Sequence, residues 1–110
     1  MAAIDPIHFQ PLHKYFPDLT LTQLATAYMY STGVSVPAIA QLRNVSEETV
    51  RDSLKAVCKR MELTTLATMG TAVQLRLSVG LLVTVDSLRN DLLGALHPTP
   101  LPQQIMGHIN

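Results

Sequence analysis

Apolar side chains recur along this chain at spacings of three and four residues, and the gaps between those runs hold residues that stop and start helices. Thr20 precedes the first run. Gln23, three residues on, completes a capping box, and Leu19 is placed to staple against Leu24, so a helix begins at Leu21. Leu24, Ala27, Tyr28 and Met29 keep one side buried as far as Ser31-Thr32-Gly33, where Gly33 can take the left-handed conformation that ends a helix. Ser35 caps a second helix. Pro37 falls in its first turn, where a missing N–H has no intrahelical partner, and Ile39, Ala40 and Leu42 face inward. Arg43-Asn44 makes a turn. Ser46 then caps a third helix, in which Val50, Leu54, Val57 and Met61 form one stripe against a core. A short helix, a tight turn and an amphipathic second helix have the layout of a helix-turn-helix.

On the polar side of the third helix, Arg51, Lys55 and Lys59 are each four residues apart and align as a basic ridge. Such a ridge suits a phosphate backbone or a major groove. It also suits a solvated face, with Glu47 pairing Arg51 for about 0.3–0.5 kcal/mol. Its place on the second helix of a helix-turn-helix is what adds the functional reading, since docking there requires side chains that reach base edges and phosphates.

Residues 19 to about 81 resemble the DNA-binding domain of the LuxR/GerE family of bacterial transcription regulators. The resemblance rests on Leu19-Thr20 with Gln23, on Gly33-Val34-Ser35, on Ile39-Ala40 and on Val45-Ser46-Glu47-x-Thr49-Val50-Arg51. It continues through Val57 and Lys59-Arg60-Met61-x-Leu63 without an internal gap. It implies an all-α, LuxR-like helix-turn-helix bundle of about four helices. The fourth runs from Thr65 to Gly80-Leu81 and commonly forms a dimer seam in the family. It also implies that Arg51 and Lys55 enter the major groove, with Arg60 near the backbone and Lys59, Thr49 and Ser46 completing the DNA-facing set.

The chain departs from the family pattern in four places. Val36-Pro37 stands where the family carries an Asn-Lys pair, and Asp52-Ser53 follows Arg51 where neutral or aromatic-polar residues are usual. Arg43 occupies the position of a buried Leu, next to a Leu42 able to turn inward instead, and Thr26-Ala27 replaces a Val-Leu pair. Charge bears on the same point. Eight Lys and Arg balance eight Asp and Glu, and the pI is about 6.9, whereas a nucleic-acid-binding domain usually has a pI above about 9. Duplex affinity is largely phosphate neutralisation. Weak binding by a single subunit is therefore expected, with a dimer or larger partner supplying the rest.

Leu81, Val85, Leu88, Leu92 and Ala95 follow a heptad-like spacing, widened by Leu82, Leu93 and Leu96, with Asp86, Arg89, Asn90 and Asp91 outside it. Residues 82–96 thus read as an additional amphipathic helix. Leu81, Val85, Leu88, Leu92 and Leu96 would form a dimer or partner interface, or else close the core of the bundle. Gly70 and Gly80 mark bends, close helix contacts or helix ends. Residues 1–18 carry Pro6, Pro11 and Pro17, which break any long helix, yet Ile4, Ile7, Phe9, Leu12, Tyr15 and Phe16 make the segment an apolar arm laid over a surface. Residues 97–110, opening His97-Pro98-Thr99-Pro100-Leu101-Pro102, read as a flexible tail of extended polyproline geometry.

Length and composition narrow the function. The 110 residues, 47% of them hydrophobic, make one domain with a modest core and no internal repeat. The alternation Thr71-Ala72-Val73-Gln74-Leu75-Arg76-Leu77 fits the fourth helix as well as a strand. Nothing resembles a signal peptide, and no apolar run approaches the roughly 20 residues of a membrane span. A cytoplasmic location away from membranes is expected. Cys58, the single cysteine, reads as a small core residue. His8, His13, His97 and His108 lie apart from any Cys or carboxylate at ligand spacing. Neither a phosphate loop nor a nucleophile motif is present, so no catalytic residue, metal, cofactor or small-molecule ligand is implied. Glu47 and Glu48 are explained by the helix dipole.

Two functions remain. One is a small transcription regulator binding double-stranded DNA as a homodimer through Arg51 and Lys55. The other is a non-DNA-binding adaptor or anti-activator that docks on another transcription regulator through its apolar helical surfaces. With no input domain ahead of the helix-turn-helix, control is expected through abundance, through a partner, or not at all.

Overall fold

The computed structural model describes residues 2–96. They form a 3-10 helix, Pro6–Tyr15, and four α-helices: α1 Leu21–Ser31, α2 Val36–Arg43, α3 Glu47–Arg60 and α4 Leu66–Leu96. No strand occurs among the described residues, and the fold is all-α. The chain divides into two units, Met1–Val79 and Gly80–Asn110. The Pro-rich tail expected over 97–110 lies outside the described residues.

The helix boundaries in the first unit follow from local chemistry. Thr20 Oγ1 accepts the Gln23 N–H at 3.1 Å while Gln23 Oε1 accepts the Thr20 N–H at 3.0 Å, a closed capping box. Leu19 and Leu24 are both buried beside it. Gly33 ends the turn after α1 at φ +96°. Ser35 Oγ accepts the Ala38 N–H at 3.3 Å with Pro37 in the first turn of α2. Asn44 then turns left-handed at φ 55° and ψ 50°, and Ser46 Oγ accepts the Thr49 N–H to start α3.

After α3, Glu62 also stands at positive φ, 57°. A side chain there meets the steric penalty that Gly avoids, and the Glu62 side chain is exposed. Glu62→Gly is expected to stabilise the domain by about 0.5–1 kcal/mol, raising the midpoint of a thermal melt followed by circular dichroism.

Phe16, Leu24, Ile39, Val50, Leu54, Val57, Met69 and Val73 are the largest apolar side chains removed from solvent and form the core of the first unit. Thr26 is the one buried polar residue among the described residues. Its hydroxyl accepts a 2.7 Å hydrogen bond from Arg43 Nη1. The Thr at 26 and the Arg at 43 are therefore one feature, a polar pair spanning α1 and α2. Burial lowers the pKa of the Arg43 guanidinium, and its Nε has no acceptor among the described residues. Leu42 packs against the core beside it.

The N-terminal arm is more ordered than its prolines imply. Pro6 opens the 3-10 helix, where it loses no internal bond, and Asp5 caps it by accepting the Ile7 N–H at 2.9 Å. Pro11 sits inside the helix, which is tolerated because Ile4, Phe9, Leu12 and Tyr15 all pack on the core. The Phe9 and Tyr28 rings lie 5.5 Å apart, and the Ile4 N–H donates to Leu42 O at 3.0 Å. His8 and His13 have local structural roles. His8 Nδ1 accepts the Asp5 N–H, and His13 Nε2 lies 2.6 Å from Leu19 O.

The expected helix end at Gly80-Leu81 does not occur. One helix runs from Leu66 to Leu96, and Gly80 is not among the glycines at positive φ. An internal Gly costs only about 1 kcal/mol relative to Ala, and neither a Pro nor a capping residue follows it to stop the helix. Gly70 does mark a close approach: a Cβ there would stand 3.6 Å from Ser31 Cα at the end of α1, where Gln74 Nε2 donates to Ser31 Oγ at 2.7 Å.

Mean hydropathy reaches 1.5 over 18 residues of Leu66–Leu96, so by length and composition this helix could cross a membrane. A count of uninterrupted apolar residues misses it because Thr, Ser and Gly are interspersed. Met69, Val73 and Leu77 are buried in the first unit. Beyond Val79 the helix carries Asp86, Arg89 and Asp91, and such charges cost about 2.5–3.5 kcal/mol each at a bilayer centre.

Candidate nucleic-acid interface

α3 is an amphipathic helix with separate duties on its two sides. Val50, Leu54 and Val57 are buried, and this fixes the rotation of the helix. Arg51, Lys55 and Lys59, four residues apart, are all exposed along the opposite flank. Arg51 Nη2 lies 3.1 Å from Glu47 Oε1, with both side chains about half exposed. Solvent leaves such a pair weak and easily exchanged for another anion. Lys55 and Lys59 have neither an ion-pair nor a hydrogen-bond partner among the described residues.

The remaining residues nominated for DNA contact are placed differently. The Ser46 and Thr49 hydroxyls lie 2.8 Å from one another at the start of α3, so both take part in the cap while staying exposed. Arg60 lies off the ridge and donates from Nη1 to Asp18 O at 3.2 Å. Asp18 is a node that pattern reading missed. Its carboxylate also receives Arg76 Nη1 at 2.8 Å, and the Arg76 guanidinium lies 5.1 Å from the Phe16 ring centroid. The partners are 42 and 58 residues apart in sequence, beyond the reach of local spacing.

Beside the ridge, a half-open groove of about 510 Å³ runs between α3 and the start of α4. Arg51, Lys55 and Lys59 edge it, and Leu54, Leu63 and Leu66 are among the apolar residues beneath them. Cys58 also lines it. Its thiol is pushed up in pKa by desolvation and lies 3.8 Å from Thr65 O. This residue is partly buried at the groove rather than enclosed in the core.

In the second unit, the side chains nominated as an interface are all open to solvent. Leu81, Val85, Leu88, Leu92 and Leu96 are exposed, Leu88 and Leu96 by 66%. Leu82, Val83 and Leu93 extend the apolar surface. Contiguous apolar surface of this kind marks an interaction site more often than scattered exposed leucines do.

The chain matches no protein-family model, no curated protein and no solved structure.

Proposed function

We propose that this chain is a small bacterial transcription regulator that binds double-stranded DNA as a dimer through its helix-turn-helix and acts in the cytoplasm. One observation carries the reading: a Ser46-capped α3 follows the left-handed turn at Asn44 and presents Arg51, Lys55 and Lys59 along its exposed flank. In this reading Arg51 and Lys55 reach base edges and Lys59 meets phosphate, with Ser46 and Thr49 bordering the backbone. Arg60 supports α3 from behind through Asp18. The LuxR-like resemblance implies the same roles for Arg51 and Lys55, but places Arg60 near the DNA backbone instead. Selection of bound duplexes from a randomised pool tests it: enrichment of a palindromic motif supports a two-fold DNA reader, and no enrichment by folded protein contradicts it.

The second subunit is proposed to pack along Leu81, Val85, Leu88, Leu92 and Leu96. Leu88→Asp with Leu92→Asp is expected to give a monomer in sedimentation equilibrium while leaving the helices of the first unit folded, since both residues are exposed. A wild-type chain that is itself monomeric at high concentration would rule out the dimer.

The exposed apolar surface and the balance of eight cations with eight anions favour a second reading. In it the same helix docks on another transcription regulator and the chain acts as an adaptor or anti-activator. A stoichiometric complex that forms without DNA and survives Arg51→Ala with Lys55→Ala would support it.

A further inference from the structure

The groove between α3 and the start of α4 combines two properties seldom found together on a solvated helix face. Its floor is apolar, with Leu54, Leu63 and Leu66, and every charged side chain in its lining, Arg51, Lys55 and Lys59, is a cation. Carboxylates are absent from its lining, although the chain as a whole has no net charge. A volume of about 510 Å³ lies within the range of small-molecule sites, which are typically apolar clefts with a few polar groups that fix orientation. From Arg51 to Lys59 the rim extends about 12 Å along α3, so a bound molecule would be elongated.

We propose that this groove binds a free, single-tailed amphiphilic anion, a medium-chain fatty carboxylate. Its hydrocarbon chain lies along Leu54, Leu63 and Leu66, and its carboxylate is held at Lys55 and Lys59. Charge complementarity selects the head group. Lys55 and Lys59 have no partner among the described residues, whereas Arg51 already has Glu47. The apolar floor selects the tail. Cys58, partly buried on the same wall, has its thiol pushed up in pKa by that desolvation. A bare inorganic anion would leave the floor exposed, and a neutral hydrocarbon would leave two cations unpaired. An acidic amphipathic peptide is the competing occupant.

The consequence rests on the DNA-binding reading. The cations that hold the carboxylate are those proposed to meet DNA, so the bound amphiphile weakens duplex affinity and makes it ligand-responsive.

The test is calorimetric titration of the full chain with decanoate below its micellar concentration, with decanol and a short acidic amphipathic peptide as parallel arms. Saturable one-to-one binding of decanoate, at least about tenfold tighter than decanol, is expected from the charged contacts. Lys55→Gln with Lys59→Gln should weaken decanoate to the level of decanol. Leu66→Trp and Thr64→Trp, each filling the groove from a solvent-exposed position, should weaken both ligands alike; two separate variants guard against one that misfolds. No saturable binding of decanoate, equal affinity for decanol, or binding of the peptide alone overturns the proposal. Decanoate binding by a chain that binds no duplex still supports the site and counts against the DNA reading instead. Duplex affinity left unchanged by saturating decanoate overturns the regulatory consequence.

Discussion

Phe16→Ala is expected to cost about 3–5 kcal/mol of stability. Phe16 is fully removed from solvent and joins the N-terminal arm to the core, with Arg76 over its ring and Asp18 two residues on. Truncation leaves a cavity, removes the surface on which Arg76 rests, and loosens the node that also holds Arg60. A domain of this size has a total stability of about 4–12 kcal/mol, so the loss takes a large share of it. Chemical denaturation of the wild type and variant measures the difference. A loss below about 1 kcal/mol would show that the arm is not integral to the fold.

The second large effect concerns binding. Arg51→Ala with Lys55→Ala is expected to lower affinity for a selected duplex at least about a thousandfold, because each cation contact with base or phosphate contributes about 1–3 kcal/mol and a dimer loses four. The fold should be unaffected: both side chains are exposed, and the Arg51–Glu47 pair contributes at most about 0.5 kcal/mol. Anisotropy with a labelled duplex, together with a denaturation curve on the same preparation, separates the two quantities. Retained affinity from the folded variant would reject α3 as the recognition helix.

What was legible in the sequence was local. Thr20 with Gln23, Ser35 with Pro37, Asn44, and Ser46 with Thr49 each act within four residues, and each does in the structure what its chemistry implies. The buried stripe of α3 was equally legible, because Val50, Leu54 and Val57 repeat with the helical period. Contacts across long separations were not. Thr26 with Arg43 reads as two isolated oddities until α1 and α2 are packed together, and Asp18 has no sequence mark that ties it to Arg60 and Arg76. The arm was legible as apolar, but its helix was not, since core packing outweighs the cost of Pro11. Gly80 does not end α4, because glycine permits a stop without requiring one. The basic ridge could be read from spacing, whereas the groove beneath it is assembled from α1, α2, α3 and α4 together.

The measurement that bears most directly on the central claim is an anisotropy titration of a labelled duplex pool with the folded chain at several salt concentrations. With Lys59 of each subunit on phosphate, a dimer neutralises two, and the logarithm of affinity should fall against the logarithm of salt with a slope of about −2. Saturable binding with that slope is the predicted result. A flat response at low and physiological salt, from protein whose helical circular dichroism is intact, would contradict the assignment of α3 as a DNA-binding helix.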